Sequence, residues 1–96
     1  MPKAYVIAQV DVHDQETYDT YRAGTPDSIA SFGGEFIVRG GAIEGLEGEP
    51  PRSRMVVIEF PSQAQAKAWY DSEEYTALRE IRQRAASADV VLAEGV

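Results

Sequence analysis

Hydrophobic spacing along the chain changes period several times, and each change marks an element. From Ala4 to Val12 the sequence reads AYVIAQVDV, a short run rich in β-branched residues that predicts a strand. Tyr18, Tyr21, Thr25, Ile29 and Phe32 then recur at spacings of three and four, one stripe of a helix. Asp14 stands where an N-cap is needed, and Glu16 falls in the first turn, where the helix dipole favours a carboxylate. Gly24-Thr25-Pro26 interrupts the stripe. Thr25 can cap a second piece with Pro26 at its first position, so a kink or break is expected there. Gly33-Gly34 closes the helix.

EFIVR, residues 35–39, is a second strand, and RMVVIEF, residues 54–60, is the third and most apolar. Between them residues 40–53 form a loop rich in Gly, Glu and Pro, with room for a short irregular strand at 42–46. Its stretch 44–48 is long enough to reach a partner subunit or act as a lid, or to be a plain exposed loop. Ser62 with Gln65 three residues later is a capping-box pattern that starts another helix. Ala66, Trp69 and Tyr70 share one face of it. Asp71 or Ser72 re-caps the chain, and Tyr75, Leu78, Ile81, Arg82 and Ala85 form the next stripe. DVVLAE, residues 89–94, is the last strand.

The resulting order, β-α-β-β-α-β, is the split βαβ pattern of an α+β, ferredoxin-like domain spanning 1–96. The expected sheet is antiparallel, with strands in the order fourth, first, third, second and the helices on one face. A sheet wet on its other face alternates apolar and polar residues. These strands do not: Met55-Val56-Val57-Ile58, Phe36-Ile37-Val38 and Val90-Val91-Leu92 are apolar on both sides. The chain has no spare element to cover the second face. A second copy packed sheet to sheet is the simplest cover, so a homodimer is expected.

Composition narrows the function classes. A formal net charge of −7, spread along 96 residues, argues against nucleic acid and against anionic membrane surfaces. The absence of cysteine removes disulfides, thiolate chemistry, and Cys-ligated zinc or iron–sulfur sites. Met1-Pro2-Lys3 leads straight into the first strand with no signal peptide, and no apolar run reaches transmembrane length, so the expected location is cytoplasmic. The glycine pairs 33–34 and 40–41 fit neither a dinucleotide fingerprint nor a P-loop. His13 is the sole histidine, so no histidine cluster can hold a metal, and no cofactor is implied.

In the expected topology one sheet edge gathers Asp11, His13, Arg39, Arg54, Arg82 and Asp89, with Tyr18 in the first turn of its helix. Three guanidiniums near two carboxylates suit recognition of a small carboxylate or enolate. Arg82 falls inside the apolar stripe between Leu78 and Ala85. A buried arginine needs a partner, which is either Asp11 or Asp89 in an internal salt bridge, or a ligand. By strand parity Tyr5, Gln9 and Asp11 share a face, Arg39 shares one with Ile37, and Glu59 with Met55 and Val57. That scheme points these polar groups into the space between two sheets of a dimer. Glu59 there is either an acid or base with a raised pKa or the partner of an arginine. The candidate ligand-binding residues are Arg39, Arg82, Tyr18, Tyr21, Gly40, Arg54 and Trp69; the candidate proton-transfer residues are Glu59, Asp11 and His13. The other reading of Tyr18 and Tyr21 is as core residues, and of Trp69 as a core or interface residue.

Taken together, Asp14-x-x-x-Tyr18-x-x-Tyr21, Gly33-Gly34, Val38-Arg39-Gly40-Gly41, Leu46-Glu47-Gly48, Val57-Ile58-Glu59-Phe60-Pro61, Ala68-Trp69-Tyr70, Ser72-x-x-Tyr75, Arg82 and Glu94-Gly95 resemble the domain-of-unknown-function 1330 family of the dimeric α/β-barrel superfamily. The resemblance covers nearly the whole chain. It implies a ferredoxin-like dimer and no particular activity; related branches include cofactor-free monooxygenases, muconolactone-isomerase-like enzymes and ligand-binding regulatory domains. Two readings stay open. One is a cofactor-independent enzyme that acts on a small organic acid by proton transfer. The other is a non-catalytic small-ligand-binding or stress-response module.

Overall fold

The computed structural model describes residues 2–96; Met1, at the head of the run expected to lead straight into the first strand, lies outside them. The elements follow the expected order, with the second helical segment divided: β1 (Ala4–Val12), α1 (Gln15–Ala30), β2 (Glu35–Arg39), β3 (Arg54–Phe60), α2 (Gln63–Asp71), α3 (Glu73–Ala85) and β4 (Ala86–Glu94). The four strands form one sheet in the order β2-β3-β1-β4, and every pairing is antiparallel.

The caps account for the helix boundaries. The Asp14 side chain accepts from Thr17 N at 3.2 Å and from the Thr17 hydroxyl at 2.8 Å, and these bonds hold its carboxyl below the ordinary carboxylate pKa. Ser62 accepts from Gln65 N, and the Gln65 amide accepts from the Ser62 hydroxyl at 3.4 Å through Oε1 while its Nε2 donates to Phe32 O at 3.1 Å. The expected capping box therefore becomes a cap plus a tie to the end of α1. Ser72 closes α2 and opens α3, its hydroxyl bonding Trp69 O and accepting from Tyr75 N.

Three local expectations are corrected. First, α1 runs unbroken through Gly24-Thr25-Pro26. Thr25 is buried, with its hydroxyl on Tyr21 O at 2.6 Å, and Gly24 is a point of close approach: a Cβ there would meet Leu78 Cδ2 at 2.8 Å. The glycine lets α3 pack against α1. Second, β4 begins at Ala86 rather than at 89, because Val12, Asp11 and Val10 extend the ladder to Ala86, Ser87 and Ala88. Third, residues 42–46 form no strand.

The helix-side face of the sheet is the core face. Ala4, Val6, Val10, Val56, Ile58 and Phe60 lie against Ile29, Trp69, Tyr75 and Ala85. The opposite face carries Tyr5, Ile7, Met55, Val57 and Val91, and Val91 is 57 % exposed. No element of the described chain covers it.

Candidate functional site

A β-bulge decides which side chains meet. Phe36 pairs with Ile58, but Val38 pairs with Val57 and Arg39 with Val56, so the register shifts by one residue at Ile37. A shift of one residue moves every later side chain to the other face. Strand parity alone put Arg39 beside Ile37 on the outer face. The bulge corrects this and turns Arg39 to the helix side, where Arg54, opposite Val10, also stands.

These two arginines, with Arg82 from α3 and Arg22 from α1, line a cavity between the sheet and the helices. Tyr18, Tyr21, Tyr75 and Trp69 form its helix-side wall, and Val6, Val10, Val56 and Ile58 are among its sheet-side residues. Its free volume is about 40 Å³, within an open envelope of about 500 Å³ that includes the mouth. Arg22 and Arg39 are exposed; Arg82 is 6 % exposed. The lining holds four guanidiniums and no carboxylate. In a chain of net charge −7 this is a local inversion of sign.

Each arginine is placed by identifiable neighbours. Pro26 has no N–H, so the Arg22 carbonyl four residues earlier loses its helical donor. Arg39 Nη2 lies 3.4 Å from that oxygen, while its guanidinium stacks 4.3 Å from the centre of the Phe36 ring. Gly40 has φ +74, a conformation that favours glycine, and a Cβ there would collide with the Arg54 guanidinium. Arg54 in turn sits 5.8 Å from the centre of the Tyr18 ring. Replacing Pro26 by alanine restores an N–H for the Arg22 carbonyl and removes the proline penalty. We expect the urea midpoint to rise, by about 1–2 kcal/mol of stability, as Arg39 is released; a fall would show instead that the Arg39 contact holds β2 to α1.

Arg82 has neither of the acidic partners expected of it. Asp11 and Asp89 are on the other side of the sheet, both bonded to Arg52, at 2.9 and 3.0 Å. Ser53 donates to Asp11 through its backbone N–H and its hydroxyl, and these bonds, ahead of the one from Arg52, hold the Asp11 carboxyl below its usual range. The Nε atoms of Arg82 and Arg54 are buried without a hydrogen-bond partner. Burial is the largest influence on the Arg82 pKa and lowers it; charge interactions with Tyr75 and Tyr21 and hydrogen bonding to Tyr75 oppose it, and the balance lies above the ordinary value.

The aromatic wall is rigid. The Tyr21 and Tyr75 hydroxyls are 2.8 Å apart, the Trp69 and Tyr75 rings are centred 3.9 Å apart, and Trp69 Nε1 donates to Ser28 Oγ at 3.2 Å. Burial, with Tyr75 adding to it, pushes the Tyr21 phenol well above its ordinary pKa.

The structure thus brings Arg39, Arg54, Arg82, Tyr18, Tyr21 and Trp69 to one cavity, with Gly40 behind Arg54. It does not bring Glu59, Asp11 or His13 there. Glu59 lies on the opposite sheet face, paired with Lys3 at 2.8 Å. His13 is exposed beyond β1, its backbone N–H on Ala85 O. Two participants were missed in the sequence. Tyr75 lies seven residues before Arg82, two helical turns along the same stripe, a spacing that could have flagged it. Arg52 carried no signal, because it lies in the irregular loop.

Comparison with known proteins places this geometry in context. No curated protein matches the chain. Among solved structures, a protein of unknown function from Rhodopseudomonas palustris is similar with a TM-score of 0.74 at 16 % identity, over 99 % of this chain and 83 % of that one. A dimeric protein of unknown function and ferredoxin-like fold from Bacteroides fragilis has a TM-score of 0.55 at 16 % identity, over 96 % and 95 %. SnoaB, a cofactor-independent oxygenase from Streptomyces nogalater, has 0.57 at 10 % identity, over 96 % and 91 %. At these identities the likeness is one of fold. The family model described as domain of unknown function (DUF1330) matches residues 3–96, and the chain therefore belongs to that family.

Proposed function

We propose that this protein binds a small organic anion in the arginine-lined cavity and works as a homodimer joined through the outer faces of its sheets. The observation that carries the binding reading is Arg82: a guanidinium 6 % exposed, with no carboxylate in its cavity and an unpartnered Nε. A buried cation of this kind is stabilised by an anionic partner, and a ligand is the partner the geometry admits. Arg39 and Arg22 at the mouth attract the anion; Arg54 and Arg82 hold it. The test is a melting experiment at constant ionic strength with sodium formate and sodium acetate. Tm should rise with either anion in the wild type and rise less in Arg39→Ala. Equal shifts in the two proteins would count against this site.

A second reading, that the bound acid also undergoes cofactor-independent proton transfer, is favoured by the Tyr21–Tyr75 pair. Tyr21 keeps its proton at neutral pH and can donate it to an enolate that Arg82 stabilises. The fold likeness to a cofactor-independent oxygenase supports this reading by analogy only. Glu59, Asp11 and His13 can enter such a transfer only from outside the cavity.

The dimer rests on the uncovered face. Ile37 and Val91 are 49 % and 57 % exposed, and Ile7, Met55 and Val57 beside them on that face are half-buried. Similar folds in Bacteroides fragilis and Thermobifida fusca are dimeric. We expect sedimentation at micromolar concentration to give twice the 10.5 kDa subunit mass, and Val91→Glu, opposite Ile7, to give the single subunit. A monomeric wild type would remove the dimer and leave the cavity untouched, since every lining residue comes from one chain.

A further inference from the structure

We propose that the ligand of the cavity is a short monocarboxylate of three or four carbons with an apolar body; this rests on the anion-binding reading above and names its chemical class. Size sets the first limit. A free volume of about 40 Å³ holds about three waters at roughly 10–15 Å³ each, equivalent to roughly 90 Å³ of liquid. A carboxylate with two or three further carbons fills that space.

Polarity sets the second limit. The cationic groups come from Arg39 and Arg54 at one end of the sheet, Arg82 on α3 and Arg22 on α1, whereas the rest of the sheet-side wall is apolar, Val6, Val10, Val56 and Ile58 among it. A ligand with one anionic head and an apolar body satisfies both. A second charged head would lie against valine and isoleucine, unpaired and desolvated, and such burial is strongly unfavourable. The Tyr21 and Tyr75 hydroxyls bond each other, which engages one of their two protons and leaves the other to donate to the head.

The experiment is isothermal titration of the full-length protein with sodium butyrate, disodium succinate, inorganic phosphate and butyramide, on the wild type and on Arg82→Met. Butyrate should bind at least about tenfold more tightly than each of the other three, and Arg82→Met should lose that binding while keeping the wild-type circular dichroism. Arg82→Lys serves as a second variant: it keeps the charge, loses the planar fork, and should recover only part of the affinity. If succinate or phosphate binds as tightly as butyrate, and does so only when Arg82 is present, the monocarboxylate class is overturned while anion binding at the site stands. If butyramide matches butyrate, the head group is not read by the arginines and the proposal falls. If no probe binds the wild type, or all bind Arg82→Met equally, both the class and the underlying reading fall.

Discussion

Arg82→Met should make this protein more stable while removing its affinity for organic anions. Arg82 is 6 % exposed, has no carboxylate partner and leaves its Nε unbonded. Methionine fills a similar elongated volume within the stripe of Tyr75, Leu78 and Ala85 without bringing a charge. Replacing buried charged groups by apolar ones of like size is neutral or stabilising by about 1–4 kcal/mol, and here there is no ion pair to lose. An increase of about 1–2 kcal/mol corresponds to roughly 4–16 °C in Tm for a domain of this size. The measurement is paired: thermal unfolding, and the Tm shift given by formate or acetate. A variant less stable by several kcal/mol would mean that Arg82 is satisfied within the protein, and the case for a ligand would fail.

Trp69→Ala should cost most of the stability. Trp69 is 1 % exposed and is the largest fully buried side chain. It stacks on Tyr75, packs 5.4 Å from the Phe60 ring, and donates to Ser28. Truncating a buried aromatic costs about 3–5 kcal/mol, out of about 5–15 kcal/mol for a whole small domain. It also leaves the buried Ser28 hydroxyl without the indole N–H. Urea unfolding at 25 °C should show a midpoint reduced by a third or more. Trp69→Phe restores much of the volume but not the donor, and should fall between. If Trp69→Ala unfolds like the wild type, the aromatic wall is not the support of the cavity.

Much of the architecture was legible because it depends on local pattern. Short runs rich in β-branched and apolar residues mark the strands, and a stripe from Tyr18 to Ile29 marks α1. Asp14, Ser62 and Ser72 cap helices because a short side-chain oxygen can accept from an N–H three residues on. The expected break at Gly24-Thr25-Pro26 failed for a tertiary reason. Leu78 from α3 needs the space that Gly24 leaves, the Thr25 hydroxyl takes up a carbonyl, and Arg39 from a different strand takes up the one that Pro26 orphans. Neither Leu78 nor Arg39 is near Gly24-Thr25-Pro26 in sequence.

The site was half legible for the same reason. That arginines, tyrosines and acids would gather near one sheet edge followed from topology alone. Which of them would face each other did not. A single inserted residue at Ile37 carried Arg39 to the helix side, and the irregular loop delivered Arg52 to Asp11 and Asp89. The alternation of β1 and β4 puts Asp11 and Asp89 on the face away from Arg54 and Arg82, and Arg52 engages them there. The ordering of elements, the capping and the apolar second face were thus determined by the amino-acid sequence itself, because each depends on neighbours within a few positions. The side of the sheet on which each charge lies was decided only in the folded molecule, because register and loop path are set by contacts between residues tens of positions apart.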